Sequence, residues 1–120
     1  MKLLVVRKFS FSAAHHLPNY EGKCKNDHGH TWVVELGLGG SKLEATGMVV
    51  DFTYIKKKFG KYLDKHYDHQ DLNTILSNPT AENIAEVLFK KAKRMFPDYL
   101  VYFVRVWESQ DSYAEAFEEV

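Results

Sequence analysis

Residues Cys24 to His30 read Cys-Lys-Asn-Asp-His-Gly-His, and Cys24 is the only cysteine of the chain. His28 and His30 are two apart, so on an extended segment both imidazoles project from one face and can share an ion. Gly29 leaves room between them. Zinc suits such donors, and catalytic zinc centres use three protein ligands and keep a position open. The third ligand is either Cys24 or a histidine of the segment Phe-Ser-Ala-Ala-His-His-Leu, His15 or His16. Cys24 as a ligand would make a Cys/His2 centre, whereas a third histidine would release the thiol to act as base or nucleophile. The bland alternative is a set of surface histidines beside a buried, inert cysteine.

Composition narrows the setting in which this chemistry would run. With 120 residues, 45% hydrophobic and 14% aromatic, residues 1–120 are expected to form one packed domain rather than a disordered chain. Sixteen basic residues balance sixteen acidic ones, so no global field recruits nucleic acid or an anionic membrane. One cysteine allows no intrachain disulfide, and the sequence has neither a signal-like leader nor a long apolar run. A cytoplasmic location is the expectation.

The elements that must position these residues follow from periodicity. Leu3 to Phe11 is β-branched and aromatic, and Thr31 to Leu38 alternates Trp32, Val34, Leu36 and Leu38 with more polar residues, so both read as strands. The loop between them, Pro18 to Gly29, carries Cys24 and delivers His28. Asp51 or Thr53 can cap a helix in which Ile55, Phe59, Tyr62 and Leu63 recur at helical spacing, ending near Lys65. A second helix starts around Asn78, Pro79 and Thr80, carries the stripe Ile84, Val87, Leu88, Ala92 and Met95, and stops at Pro97. Leu100 to Trp107 and Tyr113 to Val120 are the last two strands, joined as a hairpin.

The expected fold class is therefore α+β in the order β-β-α-α-β-β, a four-stranded antiparallel sheet with both helices on one face. Four strands rich in Val, Phe, Tyr and Trp cannot leave the other face and both edges in water, so self-association is expected.

Six ordered segments then carry a resemblance: Ser-Phe-Ser-Ala-Ala-His-His-Leu, Gly-Lys-Cys-Lys-Asn-Asp-His-Gly-His, Ala-Thr-Gly-Met-Val-Val-Asp-Phe, Tyr-Asp-His-Gln-Asp-Leu-Asn, Pro-Thr-Ala-Glu-Asn-Ile-Ala and Val-Trp-Glu-Ser. From Phe9 to about Ser109 the chain resembles the 6-pyruvoyltetrahydropterin synthase family, which includes the 6-carboxytetrahydropterin synthases of queuosine biosynthesis. The resemblance implies a tunnelling (T-fold) protomer that assembles as a hexamer, a pair of trimers, with active sites between subunits.

It also assigns residues. The metal ligands would be His15, His28 and His30, holding Zn2+, with His16 a neighbour. Cys24 would be the catalytic base, a role open to a thiol whose ionisation a nearby cation favours. Asp68 and His69 would form a catalytic pair reaching a neighbouring subunit's site. Glu108 would anchor the pterin, its two oxygens accepting from a ring N–H and an exocyclic amine. Thr80 and Glu82 would line the pocket, though both also fit as helix N-terminal residues. Lys23 and Lys25 would face a triphosphate, or simply solvent.

The implied reaction converts 7,8-dihydroneopterin triphosphate to 6-carboxy-5,6,7,8-tetrahydropterin, releasing triphosphate and acetaldehyde. Three residues separate Cys24 from His28, the loop length of the carboxy enzymes, whereas the animal pyruvoyl enzymes have an insertion there. Elimination stopping at 6-pyruvoyltetrahydropterin is the nearest alternative. A zinc hydrolase and a non-catalytic zinc-containing pterin- or purine-binding module are the alternatives from other classes.

Overall fold

Two long strands pair along their whole length and carry the rest of the molecule. In the computed structural model the described residues are 1–18 and 28–119, with His28 described by its backbone alone. Strand β1 spans Leu3–His15 and β2 spans His28–Gly40, antiparallel in a register that sets Leu3 against Gly40 and His15 against His28. Both strands run further toward the site than their hydrophobic pattern indicates. Ladder pairing, which depends on the partner strand, continues past the last alternating apolar residue.

Helical structure follows the capping signals. Asp51 caps α1 (Phe52–Ile55), its carboxylate accepting from the Thr53 N–H at 2.8 Å. The chain continues without interruption through a π-helical turn (Lys56–Gly60) into α2 (Lys61–His66). A regular helix is expected over this stretch, and the widened turn is a difference. Phe9 lies against it, 3.0 Å from where a Cβ on Gly60 would stand. Thr80 caps α3 (Ala81–Met95) by accepting from the Asn83 N–H at 3.0 Å. Strands β4 (Leu100–Trp107) and β5 (Tyr113–Ala116) complete the main sheet.

The expected four-stranded antiparallel sheet needs correction. A two-residue strand, β3 (Gln70–Asp71), joins the outer edge of β1 in parallel, giving a mixed five-stranded sheet in the order β3-β1-β2-β4-β5. Two residues have no periodicity to read. What places them is tertiary: the His69 N–H donates to the Ser12 carbonyl at 2.6 Å, and the Ser12 N–H donates to the Asp68 carboxylate at 3.0 Å.

Both helical layers cover one face. Trp32, Val34, Leu36 and Leu38 have no exposed surface and pack in one core with Ile55, Phe59, Leu63, Ile84, Leu88 and Ala92. Gly37 is required on the other parity, because the Phe103 ring fills the space a Cβ would need, beside an irregularity in the β2–β4 register. No helix among the described residues is long and apolar enough to cross a membrane. Leu36 lies centrally in this core, so Leu36→Ala should cost about 2–5 kcal/mol in equilibrium denaturation. A loss below about 1 kcal/mol would mean that the core is not packed in this register.

Candidate active site

His15 is the last residue of β1, and strand alternation carries it inward with Phe11 and Ala13. It is fully buried, and it is the only polar or charged residue so buried among the described residues. Its Nδ1 is 2.9 Å from the carbonyl oxygen of Pro79, immediately before the Thr80 cap of α3. A carbonyl only accepts, so Nδ1 carries the proton and a neutral ring presents a lone pair at Nε2. That Nε2 faces Glu108 Oε1 at 3.1 Å. Two lone-pair atoms this close attract only when a proton or a metal ion lies between them.

His30 approaches from β2. Its ring centroid is 5.1 Å from that of His15 at an angle of 87°, and both rings rest on Trp32, at 4.5 Å for His30 and 4.8 Å for His15. One ligand atom from each of His15, His30 and Glu108 falls within 4.8 Å of the others, so the three can converge on a single ion. Two imidazoles and a carboxylate are donors suited to zinc. The Pro79 carbonyl supplies the outer hydrogen bond that characteristically orients a ligating imidazole. The donor set therefore fits a divalent metal.

The structure thus brings together two of the three histidines expected to bind metal, and it adds Glu108, expected as the pterin anchor. The backbone of His28 stands directly across the ladder from His15, while its side chain lies outside the described residues. Cys24, Lys23 and Lys25 also lie outside them. His16 is not in the donor cluster. Glu108 is 37% exposed, so a ligand can reach its carboxylate.

Asp68 and His69 occupy the outer edge of β1. Their side chains pair at 2.9 Å, and the imidazole is 82% exposed. His69 is the one described non-glycine residue with positive φ, at 59°, a conformation held by its N–H bond to Ser12. The Ser12 N–H, and to a smaller extent His69, holds the Asp68 carboxyl below its usual range, against an opposing desolvation effect. His69 and His30 both line a cavity of about 560 Å3 with Ser12, Gly29, Thr31 and Asp71. Glu82 and Glu108 line a smaller one of about 180 Å3 with Ala81 and Tyr113. Thr80 Oγ1 is engaged as the α3 cap.

Sequence reasoning missed three contributors. Trp32, read only as core, is the platform under both imidazoles. The Pro79 carbonyl is a main-chain group without a residue-type signature. Asn73, within Tyr-Asp-His-Gln-Asp-Leu-Asn, grips the His16 backbone; its place in that motif was the available signal.

Residues 4–119 match the family model described as 6-pyruvoyl tetrahydropterin synthase. The 6-carboxy-5,6,7,8-tetrahydropterin synthase of Synechocystis sp. is 38% identical over 94 residues, 73% of each chain. The dihydroneopterin monophosphate aldolase of Pyrococcus furiosus is 33% identical over 112 residues, covering 92% of this chain and 94% of the relative. Among solved structures, the 6-pyruvoyl tetrahydropterin synthase of Caenorhabditis elegans superposes with a TM-score of 0.87 at 29% identity, covering 99% of this chain and 97% of that one.

Because a carboxyl held below its usual range favours the ionised form in the folded state, the Asp68 contact is present above the ordinary carboxylate pKa of about 3.9 and lost as pH falls through the lower native value. The amide shift of Ser12 should report this titration, with a midpoint below about 3.9. A midpoint at or above that value would contradict the geometry.

Proposed function

The chain belongs to the 6-pyruvoyl tetrahydropterin synthase family, and on that premise we propose that it is a zinc-dependent lyase acting on 7,8-dihydroneopterin triphosphate. The products are 6-carboxy-5,6,7,8-tetrahydropterin, triphosphate and acetaldehyde, with one water taken up, a step toward 7-deazaguanine compounds such as queuosine. The observation that carries this reading is the convergence of His15, His30 and Glu108 within 4.8 Å at the end of β1.

His15, His28 and His30 would hold the metal, which would supply Lewis-acid chemistry to substrate oxygens when bound. Glu108 anchors the pterin, its two carboxylate oxygens accepting from the ring N–H and the exocyclic amine of a 2-amino-4-oxo pterin, and Glu82 borders the same small cavity. Thr80 contributes by fixing the start of α3, which also sets the Pro79 carbonyl behind His15. Cys24 removes a carbon-bound proton from the side chain. His69 donates and accepts a second proton, and Asp68 orients its ring.

Assembly belongs to this proposal. Between Leu3 and Ser12 the outer edge of β1 has no strand partner among the described residues, and β5 forms the opposite edge. A charge row crosses the open face in direct register, Lys8 to Glu35 to Arg105 to Glu115, with contacts of 3.9, 2.8 and 2.7 Å. It starts positive at one edge and ends negative at the other, so a second copy placed head to tail continues it. The homo-oligomer, as a pair of trimers, then carries His69 toward a site shared between subunits. Light scattering at micromolar concentration should find this oligomer, and Glu115→Lys should shift it toward smaller species. A monomeric wild-type protein would contradict the assembly.

Product identification by mass spectrometry tests the reaction. Acetaldehyde and the carboxypterin are expected from the triphosphate; the pyruvoyl compound in their place would reassign the product. The name of the Pyrococcus relative makes dihydroneopterin monophosphate the second substrate to assay. Cys24→Ala should abolish turnover while retaining zinc, and loss of the metal in that variant would make the cysteine a ligand. Chelation should leave the fold intact and remove activity, whereas unfolding would indicate a structural ion.

A further inference from the structure

The end of β1 is the point where His15 must be aimed; β2 pairs it there, opposite His28, but on its other edge β1 loses its strand partner. Strand β3 pairs with β1 only at Ala13 and Ala14, opposite Gln70 and Asp71. Beyond Asp71 the chain turns into a 3-10 segment, Leu72–Thr74. That turn is closed locally, with the Asp71 carboxylate accepting from the Asn73 N–H at 3.0 Å and Thr74 Oγ1 donating to the Asp71 carbonyl at 2.7 Å. Leu72, with no exposed surface, anchors it in the core.

The turn brings the Asn73 carboxamide onto the main chain of His16. Asn73 Oδ1 accepts from the His16 N–H at 2.9 Å, and Asn73 Nδ2 donates to the His16 carbonyl at 3.0 Å. One side chain thus satisfies both main-chain groups of His16 that a continuing strand would pair. The amide stands in for the next rung of a ladder that β3 has left.

We propose that Asn73 is the positioning residue of the candidate metal centre, fixing the backbone at His15–His16 and thereby the direction in which His15 presents Nε2. The clamp acts on the peptide that follows His15. With Ala13 and Ala14 held by β3 on one side and His16 held by Asn73 on the other, the Cα–Cβ vector of His15 has no freedom to swing. The Pro79 carbonyl then sets the rotation of the ring. Backbone and ring are fixed by separate devices, from two segments remote from β1 in sequence. Asn73 itself touches neither substrate nor metal in this role. The inference rests on His15 being a ligand, as proposed above.

The test uses the full-length protein and zinc alone. Zinc affinity, from competition with a chromophoric chelator, should fall about 10- to 100-fold in Asn73→Ala, the range typical of lost outer partners of a ligating histidine. Asn73→Asp keeps the acceptor for the His16 N–H and loses the donor to its carbonyl, so it should fall between wild type and Asn73→Ala. The zinc-free protein supplies an independent readout. The His15 Nδ1–H imidazole signal, protected by Pro79 in wild type, should broaden or exchange away in Asn73→Ala while core amides stay protected.

Unchanged zinc affinity in a folded Asn73→Ala protein would overturn the proposal. So would an affinity loss that only tracks a fall in melting temperature while the His15 imidazole signal persists. Should Asn73→Ala fail to fold, Asn73→Asp decides by the same two measurements. If wild-type protein bound no zinc, the metal reading would fail, and the His15 imidazole signal would still show whether Asn73 holds the ring.

Discussion

Burying an imidazole is costly unless its nitrogens are matched, and His15 has no exposed surface at all. Its Nδ1 meets the Pro79 carbonyl and its Nε2 meets the Glu108 carboxylate, so one side chain ties the end of β1 to the start of α3 and the end of β4. These segments are 64 and 93 positions away in the chain. The arrangement makes chemical sense only with a proton or a metal ion between Nε2 and the carboxylate, where two acceptors otherwise oppose each other across 3.1 Å. A metal ion would satisfy that requirement, and the neighbouring His30 donor lies within reach of the same ion.

Strand periodicity distributes the chemistry over the two faces of the sheet. Phe11, Ala13 and His15 on β1 share the helix-covered side with Trp32 and Val34 on β2, so the donor cluster is continuous with the hydrophobic core. The rigid packing of Trp32 is thereby transmitted to both imidazoles. On the opposite parity, Lys8, Glu35, Arg105 and Glu115 form the charge row. Asp68 and His69 belong to neither face. They hang from the edge of β1 by the Asp68 carboxylate and the His69 N–H, both bonded to the Ser12 main chain, with the imidazole turned to solvent. An exposed Asp-His pair beside an edge that has no strand partner among the described residues is consistent with the assembly proposed above.

Family membership and geometry constrain each other. The family match covers almost the whole chain, and the C. elegans structure superposes over nearly all of it. Relatives with comparable identity nevertheless bear names for different pterin reactions, a tetrahydropterin synthase and a monophosphate aldolase. One family thus includes relatives named for more than one pterin reaction.

The sequence by itself determined the local features of this protein. Alternation in Trp32, Val34, Leu36 and Leu38 specified a half-buried strand, Asp51 and Thr80 marked helix starts, and two ordered histidine motifs marked a candidate metal-binding region, because each signal is contained within a few neighbouring residues. The tertiary structure alone decided the rest. The two-residue β3 has no periodicity, the Pro79 carbonyl has no side-chain identity, and the Asn73 grip on His16 joins positions 57 apart. The meeting of Glu108 with His15 likewise depends on how β1, β4 and α3 pack. Local preferences are written in adjacent residues, whereas the convergence of donor atoms is a property of register and packing.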